Sequence, residues 1–177
     1  DRSRLGVEQE KWLADGLAAS DAVWDVVGQQ TVFAPMPLGP FFNLDQWDGY
    51  PEDRQAVWEL LRRRPNPVVC TGDIHAAGVA RLHHDLEDIA SERIGTSVSA
   101  TFPADLVGAA EGLIAPLPWI DYVNPRQRGY TVVDVTAGKL VATYKVVSDT
   151  SVPDGTISVA HVVEVDARTG TNPPPTT

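Results

Sequence analysis

The spacing of apolar residues predicts two helices in the first part of the chain. Leu13 and Leu17 lie one helical turn apart, and acidic residues occupy other faces of the same segment, which indicates a helix over 7–19. A second helix is predicted to begin at Pro51, because proline suits the first helical position and the two acidic residues after it match the helix dipole. An Asn-Pro pair at 66–67 is expected to stop it.

Runs of β-branched and aromatic residues predict strands, and these runs become denser toward the carboxyl end. The predicted strands lie at 22–27, at 68–71, on either side of a hairpin turn at Ala137–Gly138, and at 156–167. Residues 79–102 are ambiguous, although 93–100 favours a strand, and 103–124 is mixed and loop-like. Because helices and strands alternate in the first part, we predict the α/β class, β-rich toward the C-terminus.

Composition and charge then exclude several classes of protein. The 177 residues, with 43% hydrophobic and 21% charged, suffice for one folded domain or for part of a larger one. A formal net charge of -10 argues against binding to the nucleic-acid backbone, and no apolar run approaches the ~20 residues of a membrane span. The one cysteine, Cys70, excludes an internal disulfide framework, and it is predicted to be a core thiol.

The strongest candidate for chemistry is the sequence GDIH at 72–75, directly after an apolar strand. Open α/β sheets bind ligands at the carboxyl ends of their strands, so Asp73 and His75 are favourably placed. A carboxylate suits a hard cation and an imidazole suits a transition metal. A strand-end turn in which Asp73 caps backbone amides explains the same four residues, and the local sequence does not favour either interpretation.

Two further groups are candidates for substrate binding. Trp47, Asp48 and Tyr50 lie in a long aromatic loop at 34–50, where they either shape a pocket or pack beneath the loop. The second group, Asn124, Arg126 and Arg128, includes guanidinium groups that could bind phosphate, although surface arginines are common. The arginines at 62–64 are predicted to be a solvated, dipole-matched helix end.

Five stretches in this order resemble one family, the PhoD-type alkaline phosphatases, which are secreted metallophosphoesterases. The matching stretches are RLGVEQEKWL, DQWDGYPEDR, VVCTGDIHAAG, ERIGTSVSA and RGYTVVDVT, which run from about Arg4 to Thr136. Each motif alone is weak, but five in register are specific. The resemblance implies a four-layer α/β/β/α metallophosphatase sandwich and the hydrolysis of phosphate monoesters and diesters.

The resemblance also implies a metal centre of Fe3+ and Ca2+. By motif match, Asp73 is expected to bind on the calcium side and His75 to bind the iron. Bound cations would let a chain of net charge -10 hold an anionic ester. The family implies a secreted, periplasmic or cell-surface location, although the first residues, DRSRLGVEQEKWL, contain no signal segment and suggest a mature, truncated or processed chain.

The chain departs from the family in its extent. Residues 1–168 resemble only the carboxyl half of the catalytic domain, and 169–177 are predicted to be a disordered tail. The first half, with the family's other metal ligands, is absent, so the chain is expected to hold half an active site, to be inactive alone, and to need the remaining half as a partner. A cleaved enzyme, a degradation product and a piece of a longer protein all fit. A non-catalytic binding or scaffold module is the alternative function.

Overall fold

The structure, a computed structural model, describes residues 3–37, 43–84 and 87–168, which form helices and two β-sheets. The helices are α1 (Val7–Ala19) and α2 (Pro51–Leu61), with one turn of 3-10 helix at Trp47–Gly49 and short helical turns over 104–114. The strands are β1 (Asp25–Gly28), β2 (Pro67–Thr71), β3 (Ala77–His84), β4 (Glu87–Ile94), β5 (Ile120–Asn124), β6 (Gly129–Val135), β7 (Lys139–Val147) and β8 (Ile157–Asp166). None of the helices described here has the length and apolar character needed to cross a membrane.

The larger sheet has the strand order β1-β2-β4-β3-β5 and mixed polarity. Strands β1, β2 and β4 run parallel, while β3 is antiparallel to both of its neighbours. The carboxyl ends of β1, β2, β4 and β5 therefore meet at one edge of the sheet, where β3 begins. The register confirms this, since Thr71 pairs with Ile94 and Ala77 pairs with Asn124.

Two apolar cores cover the two faces of this sheet. On one face, α1 and α2 contribute Leu17, Val57 and Leu61 to a core with Val69 and Leu82. On the other face, the antiparallel sheet β6-β7-β8 packs through alternate residues of β7, whose burial follows the two-residue period of a strand. The layers are α/β/β, which confirms the predicted α/β class and β-rich carboxyl end.

The described elements agree with the predicted helices and hairpin, and one predicted strand differs from the observed one. The first helix occupies Val7–Ala19 as predicted, and β6 and β7 form the hairpin. The strand predicted over 93–100 is wrong beyond Ile94, because β2 has already turned away and offers no further backbone partner after the Gly95 N–H to Thr71 carbonyl hydrogen bond. The predicted tail at 169–177 lies outside the described residues.

Candidate functional site

Loops that follow four strands come together at the carboxyl edge of the larger sheet. Backbone hydrogen bonds link them: the Gly72 N–H donates to the carbonyl of Gln30 (3.2 Å), and the Gly129 N–H donates to the carbonyl of Ser97 (3.1 Å). The Thr96 hydroxyl lies 3.1 Å from the carbonyl of Gln127, which ties the loop after β4 to the loop after β5. The edge is therefore a connected rim, where ligands of α/β proteins commonly bind.

The turn at 72–75 holds two non-glycine residues in a strained backbone conformation. Asp73 has φ 73° and His75 has φ 61°, both in the left-handed region that side chains with a Cβ avoid. Each such residue costs of order 1–3 kcal/mol, and such strain clusters at ligand sites. A backbone hydrogen bond from the Ile74 N–H to the carbonyl of Gly72 (2.9 Å) closes the turn, and the side chains of Asp73 and His75 are exposed.

The Asp73 carboxylate is held at one oxygen. Its Oδ2 accepts a hydrogen bond from Nε2 of Gln46 at 2.6 Å. Within the described part of the chain, Oδ1 of Asp73 has no hydrogen-bond partner. Asp73 as a residue is exposed, and this oxygen could bind a cation, because hard metal ions take carboxylate oxygens as ligands.

The His75 ring is oriented by a backbone carbonyl. Its Nδ1 lies 3.2 Å from the carbonyl oxygen of Thr101, which can only accept a hydrogen bond, so Nδ1 carries the proton. In the neutral ring the lone pair is then on Nε2, the arrangement found for metal-binding histidines whose other nitrogen donates to a carbonyl. Residues 3–37, 43–84 and 87–168 contain no group of three His, Cys, Asp or Glu side chains that could hold a metal ion. Asp73 and His75 therefore fit as part of a ligand set, not as a complete one.

A largely apolar cavity of about 280 Å3 opens beside this turn. Its wall includes Asp48, Asp73 and His75 together with apolar side chains from the loop before α2 and the segment between β4 and β5. The apolar lining residues include Val32, Met36, Ile74, Phe102, Leu106, Ile114 and Val123. Asp48 thus lies in the same cavity wall as the two candidate ligands.

A second groove, of about 220 Å3, joins His75 to the predicted arginines. His75, Arg126 and Arg128 all line it. Arg126 forms a bidentate pair with Glu111, with Nε–Oε1 and Nη2–Oε2 distances of 2.6 and 2.7 Å, and this pairing lowers the pKa of Glu111 and raises that of Arg126. Nη1 of Arg128 donates to the Thr150 hydroxyl at 2.7 Å. The fold therefore brings two guanidinium groups beside the imidazole.

Known proteins resemble this chain in sequence and in fold. The sequence model of the PhoD-like phosphatase family matches residues 1–144. The chain belongs to that family. It is 36% identical over 170 residues to alkaline phosphatase D of Bacillus subtilis (strain 168), an alignment that covers 89% of this chain and 29% of that protein. A solved structure of PhoD matches with a TM-score of 0.80 and 32% identity, covering 94% of this chain and 34% of that one. The chain thus spans about a third of the length of these relatives.

In this member of the PhoD-like phosphatase family, the predicted aromatic group is divided between core and loop. Trp47 is 3% exposed and packs edge-to-face on Phe33 at 4.7 Å between ring centroids, so it lies in the core and does not line the apolar cavity. Tyr50 packs against the guanidinium of Arg4 and does not line the apolar cavity. Asp48 does line it, but both carboxylate oxygens are engaged, one by Arg54 and one by the Met36 N–H at 3.0 Å.

Two polar residues of this family member were missed by the sequence reasoning. Glu92 on β4 is fully buried and accepts hydrogen bonds from the N–H groups of Phe33 and Ala34 and from the Thr71 hydroxyl. Burial raises the pKa of Glu92, and these hydrogen bonds oppose that shift. The second of these residues is Gln46, whose side-chain amide donates a hydrogen bond to Asp73. Neither has a local signal, since each has partners far away in sequence and the strand that carries Glu92 contains several other polar residues.

Proposed function

We propose that this chain is the carboxyl half of the catalytic domain of a metal-dependent hydrolase of phosphate monoesters and diesters. The observation that carries the proposal is the strained turn at the sheet edge, which presents the carboxylate of Asp73 and the imidazole of His75 together. Membership of the PhoD-like phosphatase family supports phosphoester hydrolysis as the reaction class. One relative is named an alkaline phosphatase.

The proposed cofactors are Fe3+ and Ca2+. Asp73 would hold calcium through its exposed carboxylate, and His75 would hold iron through Nε2, the nitrogen left by the contact between Nδ1 and the Thr101 carbonyl. Bound cations would supply charge neutralisation of the phosphate and Lewis acidity toward the attacking oxygen. The remaining ligands would come from the half of the domain that this chain does not contain.

The chain's own contribution to substrate binding would be the two arginines of the second groove. Arg126 and Arg128 share the groove wall with His75, so a phosphate beside the imidazole would also lie near guanidinium donors. Glu111 holds the Arg126 side chain in place and partly neutralises it. A phosphate would therefore compete with Glu111 for Arg126, whereas the one described side-chain partner of Arg128 is a neutral hydroxyl.

We also propose that the rest of the catalytic domain binds this chain and that the complete enzyme acts outside the cytoplasm. The first part of this proposal is supported by the incomplete ligand set among the described residues and by the fraction of each relative that the chain spans. The location, secreted, periplasmic or cell-surface, rests on the family resemblance alone.

The test is hydrolysis of bis-(p-nitrophenyl) phosphate by the complete protein that contains this chain, with and without a chelator. We expect Asp73→Ala and His75→Ala each to lower kcat/KM by more than about 100-fold. Loss of a residue that supports a metal ligand lowers activity by about 10–100-fold, and loss of the ligand itself should lower it further. Asp21→Ala, at an exposed site away from the sheet edge, is the matched control and should leave the rate unchanged. Full activity in Asp73→Ala would remove the turn from the active site.

A non-catalytic binding or scaffold module is the second candidate function, favoured by the absence of a three-residue ligand group within the described ranges. Metal analysis of the complete protein separates the two. The enzyme requires bound iron and calcium, with turnover that a chelator abolishes. A scaffold would contain neither metal and would not hydrolyse the ester.

A further inference from the structure

The side-chain amide of Gln46 is buried, and both of its ends are engaged. Gln46 is 4% exposed and directly precedes the 3-10 turn at Trp47–Gly49. Its Oε1 accepts a hydrogen bond from the Val32 N–H at 2.6 Å, and its Nε2 donates to Oδ2 of Asp73 at 2.6 Å. Because a backbone N–H can only donate, the amide oxygen must face Val32, and the NH2 group must then face Asp73.

The backbone that fixes the Gln46 amide is itself anchored in the core. Val32 is buried, and the next two residues, Phe33 and Ala34, donate their N–H groups to the carboxylate of Glu92 at 2.8 and 2.7 Å. Glu92 lies on β4, a central strand of the larger sheet. Gln46 thus connects an exposed carboxylate at the sheet edge to a rigid interior element, through hydrogen bonds whose directions are all determined.

We propose that Gln46 is a positioning residue, which holds one oxygen of the Asp73 carboxylate so that the other is presented to the cation. Asp73 is exposed and lies on a turn, so without this contact its side chain would sample several rotamers. Fixing the rotamer before the cation arrives removes that entropy cost from binding. The assignment of a cation to Asp73 rests on the proposed function, whereas the contact between Gln46 and Asp73 does not.

The test measures calcium binding by titration calorimetry in the complete protein that contains this chain. Gln46→Glu keeps the size of the side chain and the acceptor for Val32, but places a second carboxylate against Asp73. Gln46→Met keeps the side chain uncharged and removes both of its hydrogen bonds. We expect each to raise the calcium dissociation constant by about 10–100-fold, as for other supporting contacts of metal ligands. Gln55→Glu, the same change on the exposed side of α2, is the control and should not alter it.

Rescue by calcium distinguishes positioning from ligation and from a merely structural role. Excess calcium should restore hydrolysis of bis-(p-nitrophenyl) phosphate in Gln46→Met but not in Asp73→Ala, because only the second lacks the oxygen ligand.

If the unchanged protein binds calcium and a folded Gln46 variant binds it within twofold of that affinity, the inference about Gln46 is wrong and the proposed function stands. If the unchanged protein binds no calcium, both are overturned. Should Gln46→Glu fail to fold, Gln46→Met decides the outcome.

Discussion

Arg93 places a guanidinium between the two sheets, opposite Cys70 on the neighbouring strand. Arg93 is 2% exposed, and its Nη1 donates to the carbonyl of Glu92 at 3.3 Å. Within the described residues, its Nε and Nη2 have no hydrogen-bond partner. Burial lowers the pKa of Arg93, but arginine remains protonated because its ordinary pKa is so high. A positive charge therefore lies beside the one thiol of the protein.

At the residue scale, we expect the Cys70 thiol to react more slowly in the folded chain than in the unfolded chain. Burial is the largest influence and raises the pKa of Cys70, while the charge of Arg93 partly opposes it. A higher pKa leaves less thiolate at a given pH, and the thiolate is the reactive form. The rate of iodoacetamide labelling should therefore rise with pH, with a midpoint above the ordinary value of about 8.5.

Arg93→Met provides the matched variant for this measurement. Removal of the nearby positive charge should move the midpoint of labelling further upward, since the opposing influence is lost. The same labelling in urea gives the reference rate for the unfolded chain, and there the two proteins should react at the same rate. A midpoint in the folded protein at or below the unfolded one would show that burial does not control this thiol.

At the scale of elements, the end of α2 is attached to the sheet by an ion pair. The helix ends at Leu61, and the side chain of Arg64 turns back so that its Nε donates to Oδ2 of Asp25 on β1 at 2.7 Å. Its Nη2 donates to the carbonyl of Ser20, just after α1. The predicted solvated helix end is therefore wrong for Arg64, because the helix stops early enough for this side chain to reach β1.

We expect Arg64→Ala to lower the free energy of unfolding by about 3 kcal/mol, because it leaves the buried carboxylate of Asp25 without its cation. The neighbouring variant Arg63→Ala, at an exposed position, should change it by less than about 0.5 kcal/mol. Urea denaturation followed by tryptophan fluorescence measures both. Equal effects of the two substitutions would mean that the ion pair contributes nothing beyond a surface charge.

At the scale of the whole molecule, the outer face of the three-stranded sheet carries a group of exposed apolar side chains beside charged ones such as Lys139 and Glu164. Alternate residues of β7 point into the core, so the intervening positions and their partners on β6 and β8 point outward. Those outward positions include Tyr130, Ile157, Val159 and Val162, all of them more than a third exposed. An antiparallel sheet that faces water is usually polar on that side. The fourth layer of the sandwich implied by the family resemblance would cover such a face.

We therefore expect the isolated chain to self-associate through this outer face, and Val159→Lys to reduce that association. Val159 is 57% exposed, so lysine fits without disturbing the core, and its charge opposes burial against another apolar surface. Multi-angle light scattering over a range of concentrations measures the effect. Val7→Lys, on the exposed side of α1, is the control and should associate as the unchanged chain does. If the isolated chain without substitutions stays monomeric at high concentration, the half-domain interpretation is contradicted.

The sequence by itself determined the features that depend on local pattern. The helix at Val7–Ala19 and the β6–β7 hairpin follow from residue spacing, because the periods of 3.6 and 2 are properties of neighbouring residues. The turn at 72–75 was recognisable because it follows an apolar strand, and the motif order was sufficient to indicate the family. None of these required knowledge of which distant segments pack together.

The tertiary structure alone decided the partners of the polar side chains. Glu92 accepts from Phe33 and Ala34, and Gln46 donates to Asp73, between residues 27 to 59 positions apart in the chain. Whether a polar side chain is solvated or buried depends on which donors the fold brings within about 3 Å, and periodicity carries no information about that. The supports of the candidate site were therefore hidden in the sequence, while the candidate ligands were visible in it.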